Sequence, residues 1–374
     1  MAETKKRQAN IELLRIVAMM MVIVLHYISR GKIDVKLSED GSLSNHLWWL
    51  IDGFCNVAVN VYVLISGYFL VEAKWHASKL IKLVCQVLFY SIFVGLLMYG
   101  LSAVPAVSAL YERAGESFAF DLSNWLTVLL PIEYEHYWFA TAYIVMYMLS
   151  PVLAVAVKNL GEKQLRTVII AILCFFCLPK SINPYLIPTD SYGYDFGWFI
   201  CLFLIAGYIR MYGIKFFSSK KKSFLVYIIC VLLNFAVCAV CGRICSITGK
   251  MEYYMDMTYA YNYILVLISS VALFYAWTYV EIKEGKFASF VCRIAPLTFG
   301  VYLLHENVSL RLIWPFLLGA DRMNNFFTQF LHMLLSVLIV FTAGCLVDAL
   351  RKFIFDKAET IFVREKQAKS DNEI

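Results

Sequence analysis

Long runs of apolar residues alternate along the chain with short polar stretches. Ten runs approach the length of about 20 residues that an α-helix needs to cross a bilayer, and three of them, 167–178, 196–211 and 294–308, are short. The other seven are 11–28, 47–71, 83–104, 137–157, 224–241, 258–280 and 327–350. Segment 122–130 is predicted as an additional interfacial or re-entrant helix. The pattern therefore predicts an all-α fold, a polytopic integral membrane bundle of about ten transmembrane helices.

The charged residues predict the orientation of this bundle. With an even number of spans, 24 of the 33 lysines and arginines fall on the side that holds both termini. Cytoplasmic loops carry the excess of Lys and Arg, so both termini are predicted to be cytoplasmic.

Composition agrees with a membrane protein and excludes two other classes. Hydrophobic residues make up 61% of the chain and charged residues 16%, against roughly 25% charged in soluble domains. A soluble enzyme is therefore excluded. The net charge of +6 comes from short clusters between apolar runs, which does not fit a nucleic-acid-binding face.

The chain divides into one large unit and a short tail. We predict a membrane domain over 1–357 and a cytoplasmic polar tail over 358–374. The basic N-terminus is followed by an apolar run without a small-residue cleavage site, which favours a membrane anchor over a signal peptide. Any chemistry is expected within the bundle or at its rim.

The eleven cysteines do not indicate a metal centre. Two CxxC spacings occur, Cys174 with Cys177 and Cys238 with Cys241, but both lie in apolar sequence without nearby His or acidic partners. A zinc site needs converging ligands, so no metal is predicted.

Ionisable residues inside spans are costly and are functional candidates. Arg15 and His26 are eleven residues apart, which places them on one helix face and separates them by roughly 16 Å along the axis. Arg15 suits a phosphate-bearing ligand at the cytoplasmic rim, and His26 suits proton transfer deep in the bundle. The alternative is that Arg15 reaches the interface beside Glu12 and that His26 only bonds another helix.

A second histidine is predicted at the same depth. His305 lies twelve residues after Arg293, a climb of about 18 Å, and Glu306 follows it. Two histidines and a carboxylate can form an acid/base cluster. Contact between the first and ninth spans cannot be derived from sequence.

Two further stretches combine small or aromatic groups with apolar neighbours. Ser66 and Gly67 permit close helix approach, or contribute to a pocket. Trp138 opens the fourth span as an aromatic-belt residue, or as a platform for a sugar.

Together, four motifs resemble the membrane acyltransferase family 3, whose members are bacterial proteins that modify surface polysaccharides. They are Arg15-x10-His26, LISGYF (64–69), YWF (137–139) and GVYLLH (300–305). The resemblance covers nearly the whole chain, and the order and spacing of the four motifs make it specific.

The resemblance implies an acetyl-CoA-dependent transfer of an acyl group, usually acetyl, to a sugar hydroxyl at the bacterial cytoplasmic membrane. Arg15 would hold the coenzyme A phosphates, and His26 would be the base or a transient acyl carrier. The expected partners are acyl-CoA, a glycan or lipid-linked saccharide acceptor and membrane lipids. The pocket residues implied are Ser66, Gly67, Tyr68, Trp138 and Tyr302, the last completing the site with His305.

One departure from the family pattern concerns the donor side. Lys79 and Lys82 stand where many members carry arginines, so charge is kept but the planar fork is lost. We still predict that both lysines bind the donor.

Two alternatives remain open at this point. A multi-pass glycan or lipid-linked sugar transporter would also bury ionisable groups, although no paired inverted halves are found. A sensory or structural membrane domain without activity is the other, and the Arg15, His26 and His305 set argues against it.

Overall fold

The computed structural model describes residues 7–116, 121–134, 136–182 and 191–372, without the side chains of 180–181 and 361–372. Residues 1–6 and most side chains of the tail predicted over 358–374 lie outside the described part. Within it the fold is all-helical and has no strand. Seventeen α-helices are described: α1 (Ala9–Arg30), α2 (Leu43–Cys55), α3 (Ala58–Leu70), α4 (Ala77–Leu101), α5 (Pro105–Arg113), α6 (Leu122–Leu129), α7 (Trp138–Asn159), α8 (Glu162–Phe176), α9 (Leu178–Ile182), α10 (Phe196–Tyr212), α11 (Lys220–Thr248), α12 (Glu252–Met257), α13 (Ile264–Thr278), α14 (Lys286–Ile294), α15 (Thr298–His305), α16 (Trp314–Leu318) and α17 (Phe326–Asn372).

Seven helical segments of the described chain are long and apolar enough to cross a membrane. They are Ala9–Arg30, Leu43–Leu70, Ala77–Leu101, Trp138–Asn159, Lys220–Thr248, Lys286–His305 and Phe326–Thr360. Two shorter apolar helices, α10 and α13, and the 15-residue α8 occupy the other predicted spans. The polytopic helical bundle is confirmed, while the count of ten and the orientation of the termini stay predictions. Below, "inner" denotes the bundle end where α1 begins, and "outer" the end where it ends.

The second and eighth predicted spans are interrupted. The second bends at Asn56 between α2 and α3, and the eighth is helical only over α13, so residues 258–263 are irregular. Asn234, Asn56 and Asn60 donate side-chain hydrogen bonds of 2.6, 2.9 and 2.8 Å to the carbonyls of Thr258, Tyr259 and Tyr261. Irregular backbone inside a membrane requires such partners.

Helix α1 lies at the centre of the bundle, in contact with α2, α3, α13, α14, α15 and α17. Its core-facing residues, such as Leu14, Ile23 and Ile28, are fully buried. In contrast, α4, α11 and α17 each expose a face of large apolar residues, such as Leu96, Val240 and Leu338. An exposed apolar face suits contact with lipid rather than water.

The ninth and tenth spans differ from their predicted limits. The ninth is α14, a 3-10 turn at Ala295–Leu297 and α15, and its helix ends at His305, so Glu306 begins a loop. Helix α17 continues beyond the predicted end of the tenth span at 350, to Asn372.

Candidate active site

Helix α1 carries three of the polar groups around which the site is built. The helix is continuous from Ala9 to Arg30, so Arg15 lies near its inner end, His26 near its outer end, and Arg30 in its last turn. The predicted separation of Arg15 and His26 by roughly 16 Å along one helix axis therefore applies. These groups are spread along the bundle rather than gathered in one place.

His26 forms a hydrogen-bonded pair with His305. His26 Nδ1 lies 2.9 Å from His305 Nε2, and the other nitrogen of His305, Nδ1, lies 2.6 Å from the carbonyl oxygen of Val301. Because a carbonyl can only accept, His305 Nδ1 carries the proton and Nε2 accepts. His26 Nδ1 therefore donates, and its Nε2 holds the free lone pair that a general base requires.

Glu306 holds the pair from the outer side. Its Oε1 lies 3.4 Å from His26 Nδ1, and the carboxylate accepts 3.3 and 3.0 Å hydrogen bonds from Nε and Nη2 of Arg30. The His26 side chain is 19% exposed and that of Glu306 only 5%. A buried carboxylate at this distance stabilises an imidazolium that forms on His26. The predicted cluster of two histidines and a carboxylate thus meets in space.

The loop after His305 is fixed by buried hydrogen bonds. Asn307 Nδ2 donates to the Tyr137 hydroxyl at 2.9 Å, and the Val308 N–H donates to His136 Nε2 at 2.7 Å. His136 lies in the loop that precedes α7, and burial lowers its pKa to about 3, with a further contribution from Arg311. His136 is therefore neutral at physiological pH and serves as an acceptor that positions the Glu306 loop.

A small cavity of about 30 Å³ lies against His26, room for about one water molecule. Trp138 and Tyr302, both predicted as site residues, line it. Its other residues are Met19, Val22, Leu25, Val59, Tyr62, Phe139 and Tyr261. The Trp138 ring packs on Tyr261, with centroids 5.8 Å apart and planes 21° apart. Trp138 is thus a wall of the cavity and not only a residue of the outer interface.

Tyr62 links this cavity to the inner end of the bundle. Its hydroxyl donates to Thr298 Oγ1, which itself donates to the carbonyl of Ala295 at 2.8 Å. The guanidinium of Arg15 lies 6.0 Å from the centre of the Tyr62 ring. One aromatic side chain therefore separates Arg15 from the cavity of His26.

Arg15 is only partly paired. Its Nη1 lies 3.4 Å from Glu12 Oε2, and its Nε is buried without a hydrogen-bond partner among the described residues. The predicted Glu12 pair is therefore present, but it leaves hydrogen-bonding capacity for an anionic ligand.

The LISGYF residues lie away from the cavity. The Ser66 hydroxyl donates to the Tyr62 carbonyl at 3.0 Å, and a Cβ at Gly67 would meet Ala206 Cβ at 2.9 Å. Tyr68 accepts a 3.0 Å hydrogen bond from Arg210. In the structure this motif packs α3 against α10, and its pocket role stays a prediction.

Lys79 and Lys82 also lie apart from Arg15. Both line an inner groove of about 610 Å³ between α4 and α17, together with Arg351 and Lys352. Lys82 is paired with Glu359 at 2.8 Å. The groove also contains three carboxylates, Asp348, Asp356 and Glu359. Donor binding by the two lysines stays a prediction.

His332 of α17 connects two other helices. Its Nε2 donates to the Leu318 carbonyl of α16 at 2.9 Å, and its Nδ1 accepts from the Tyr27 hydroxyl of α1 at 2.8 Å. Among the described residues no group of three or more His, Cys, Asp or Glu is placed to hold a metal ion.

Sequence reasoning missed four residues of the site: Arg30, Tyr62, His136 and Arg311. The sequence holds one signal for Arg30, because its position four residues after His26 places both on the same helix face. The other three leave no comparable signal, because their roles depend on contacts between helices distant in sequence.

The chain matches a known protein family over most of its length. A family model described as an acyltransferase domain matches residues 8–348, which includes Arg15, His26, Trp138, His305 and Glu306. No match was found among curated proteins or solved structures. Since the matched region covers nearly the whole chain, the protein belongs to the acyltransferase family 3.

Proposed function

We propose that the protein is a membrane O-acyltransferase that moves an acetyl group from cytoplasmic acetyl-CoA to a hydroxyl of a cell-surface glycan. Its family supports acyl transfer. The observation that carries the proposal is the hydrogen-bonded chain from Val301 through His305 to His26. This chain leaves a basic nitrogen on the histidine that lines the cavity.

In the proposed reaction, His26 Nε2 takes the proton of the acceptor hydroxyl as its oxygen attacks the thioester carbonyl. A carbon–oxygen bond forms and the carbon–sulfur bond of acetyl-CoA breaks. The proton passes from His26 to the departing thiolate, so the products are the acetylated glycan and free coenzyme A. Glu306, 3.4 Å from His26 Nδ1, stabilises the imidazolium in between.

The donor fits the inner end of this arrangement. Coenzyme A phosphates need forked, charged donors, and Arg15 has a buried Nε without a described partner. The acyl arm would pass Tyr62 to reach the cavity. Because the cavity holds only about 30 Å³, Tyr62 and neighbouring side chains must move when the acyl group enters.

The acceptor is proposed to approach from the outer end. Trp138 and Tyr261 form an aromatic wall there, and aromatic faces suit the apolar face of a sugar ring. We further propose that the protein resides in the bacterial cytoplasmic membrane, with His26 reached by the donor from one side and by the glycan from the other.

The test uses the purified full chain in detergent with acetyl-CoA labelled in the acetyl group. Release of free coenzyme A and label in an added glycan support the proposal. A protein that neither binds acetyl-CoA nor releases coenzyme A contradicts it and favours the transporter alternative. The His26→Ala variant, checked for folding by its melting temperature, is the control and should release no coenzyme A above background.

A further inference from the structure

The outer side of the site contains an arginine that the proposed reaction does not use. Arg311 lies in the loop after α15, and its backbone N–H donates to the Asn307 carbonyl at 2.8 Å. Within the described part of the chain its side chain makes no hydrogen bond or ion pair, and its Nε is inaccessible to solvent. A guanidinium nitrogen that is inaccessible to solvent and has no partner is costly.

The charges around Arg311 do not balance. Glu306 is the carboxylate of this cluster, and Arg30 binds both of its oxygens. His305 is neutral, because its Nδ1 donates to the Val301 carbonyl while its Nε2 accepts from His26, so it supplies no negative charge. Two arginines therefore share one carboxylate, and Arg311 interacts with Glu306 only at longer range.

Two other acidic residues do not balance the charge of Arg311. Asp321 accepts three hydrogen bonds from Arg113, at 2.6 to 3.2 Å. Asp52 is not among the groups that act on Arg311, of which Glu306 is the carboxylate. Neither supplies the missing charge beside Arg311.

Arg311 lies in the same loop as Glu306, five residues after it, and Glu306 Oε1 is 3.4 Å from His26 Nδ1. The charge of Arg311 also acts on His26 and on Tyr302, both of which line the cavity. An anion bound by Arg311 would therefore lie at the outer side of the His26 and Glu306 cluster, from which the acceptor is proposed to approach. A guanidinium binds carboxylate and phosphate through two parallel hydrogen bonds.

From this unpaired charge in the loop that carries Glu306 we infer that Arg311 binds an anionic group of the acceptor, a carboxylate or phosphate on the sugar that is acylated or on its neighbour. The inference rests on the proposed function and names its substrate class, an acidic saccharide. Arg311 is here a specificity residue, and the proton transfer stays with His26.

The experiment measures ligand-induced shifts in melting temperature of the purified full chain. The probes are methyl β-D-glucuronide, glucose 6-phosphate, the neutral methyl β-D-glucoside and inorganic phosphate. We expect the acidic sugars to bind at least about tenfold more tightly than the glucoside, a free-energy difference of about 1.4 kcal/mol. Whichever acidic sugar binds more tightly identifies the carboxylate or the phosphate as the anion.

Variants assign the preference to Arg311. Arg311→Gln should reduce the preference for acidic sugars over the glucoside to within about twofold. Arg311→Lys should retain part of this preference because the charge remains. The control Arg243→Gln changes an exposed outer arginine and should leave the preference intact. Equal binding of glucoside and glucuronide, or a preference that survives in Arg311→Gln, overturns the inference. Inorganic phosphate binding as tightly as glucose 6-phosphate overturns the assignment to a saccharide.

Coenzyme A release is measured on the same preparations. A protein that prefers acidic sugars but releases no coenzyme A contradicts the proposed function and not the Arg311 site. Arg311→Gln could instead lose coenzyme A release equally with every acceptor, without a change in sugar preference. That result would mean that Arg311 stabilises the reaction's oxyanion, and it would overturn the inference.

Discussion

Replacement of Glu306 by Gln removes the negative charge next to His26 while it keeps the side-chain shape. Glu306 Oε1 lies 3.4 Å from His26 Nδ1, and at an effective dielectric constant of ~20 the Coulomb attraction to an imidazolium is about 5 kcal/mol. Arg30 partly neutralises the same carboxylate, and His26 is partly exposed to solvent. Both effects reduce the Coulomb attraction, to about 3 kcal/mol. Since 1.36 kcal/mol corresponds to a factor of ten, Glu306→Gln should lower kcat by about two orders of magnitude.

The assay follows coenzyme A release from acetyl-CoA by the purified protein at saturating donor. Glu72→Gln is the matched control, because it also removes a carboxylate paired with an arginine, Arg210, at a site remote from the cavity. It should lose some thermal stability and keep its kcat. A Glu306→Gln enzyme within about threefold of the wild-type kcat would refute the assigned role.

Three further predictions concern the inner end, the framework and the outer loop. Arg15→Gln should raise KM for acetyl-CoA by 10- to 100-fold with a smaller change in kcat, since a charged hydrogen bond contributes about 1.5–3 kcal/mol. An unchanged KM would contradict donor binding by Arg15. Gly300→Ala places a Cβ 2.3 Å from Asp348 Cγ and should destabilise the protein by about 3 kcal/mol. The control Gly100→Ala has open space around the new Cβ and should leave the melting temperature almost unchanged. Equal melting temperatures for the two variants would contradict the close contact at Gly300. Burial lowers the pKa of His136 to about 3, so below its ordinary pKa the unfolded chain binds a proton that the folded chain excludes. Stability should therefore fall as pH decreases from about 6.5 towards 3. The pH dependence of the melting temperature should be weaker in His136→Asn, and an identical profile would contradict the buried neutral state.

Most of the fold follows from patterns that are local in sequence. The apolar runs are visible without any contact information, because each must match the bilayer thickness on its own. The errors occur where a span is irregular. Residues 258–263 are apolar enough to suggest helix, yet their carbonyls are bound by Asn234, Asn56 and Asn60, which no local pattern indicates.

The site was only partly predictable for the same reason. Arg15, His26 and His305 are ionisable groups inside apolar runs, so their cost in a membrane makes them visible. The contact of α1 with α15, which brings His26 to His305, is a tertiary property. Arg30 and Arg311 were hidden because loop cations are common, and only the charge balance around Glu306 shows that they differ from the others.

The motif residues of α3 illustrate a further limit. Ser66 and Gly67 occur in a recognisable pattern. Gly67 packs closely against α10, and neither residue lines the cavity next to His26. The pattern identifies the family, whereas a pocket role for these two residues stays a prediction.

The most direct test of the account is the rate of acetyl transfer by His26→Gln, compared with the wild-type protein at matched folding and matched acetyl-CoA occupancy. Since His26 is proposed to take the proton of the acceptor hydroxyl, we predict a loss of acetyl transfer of at least about 10²-fold with little change in acetyl-CoA binding. A folded His26→Gln protein that acetylates the acceptor at the wild-type rate would contradict the central claim that His26 is the base.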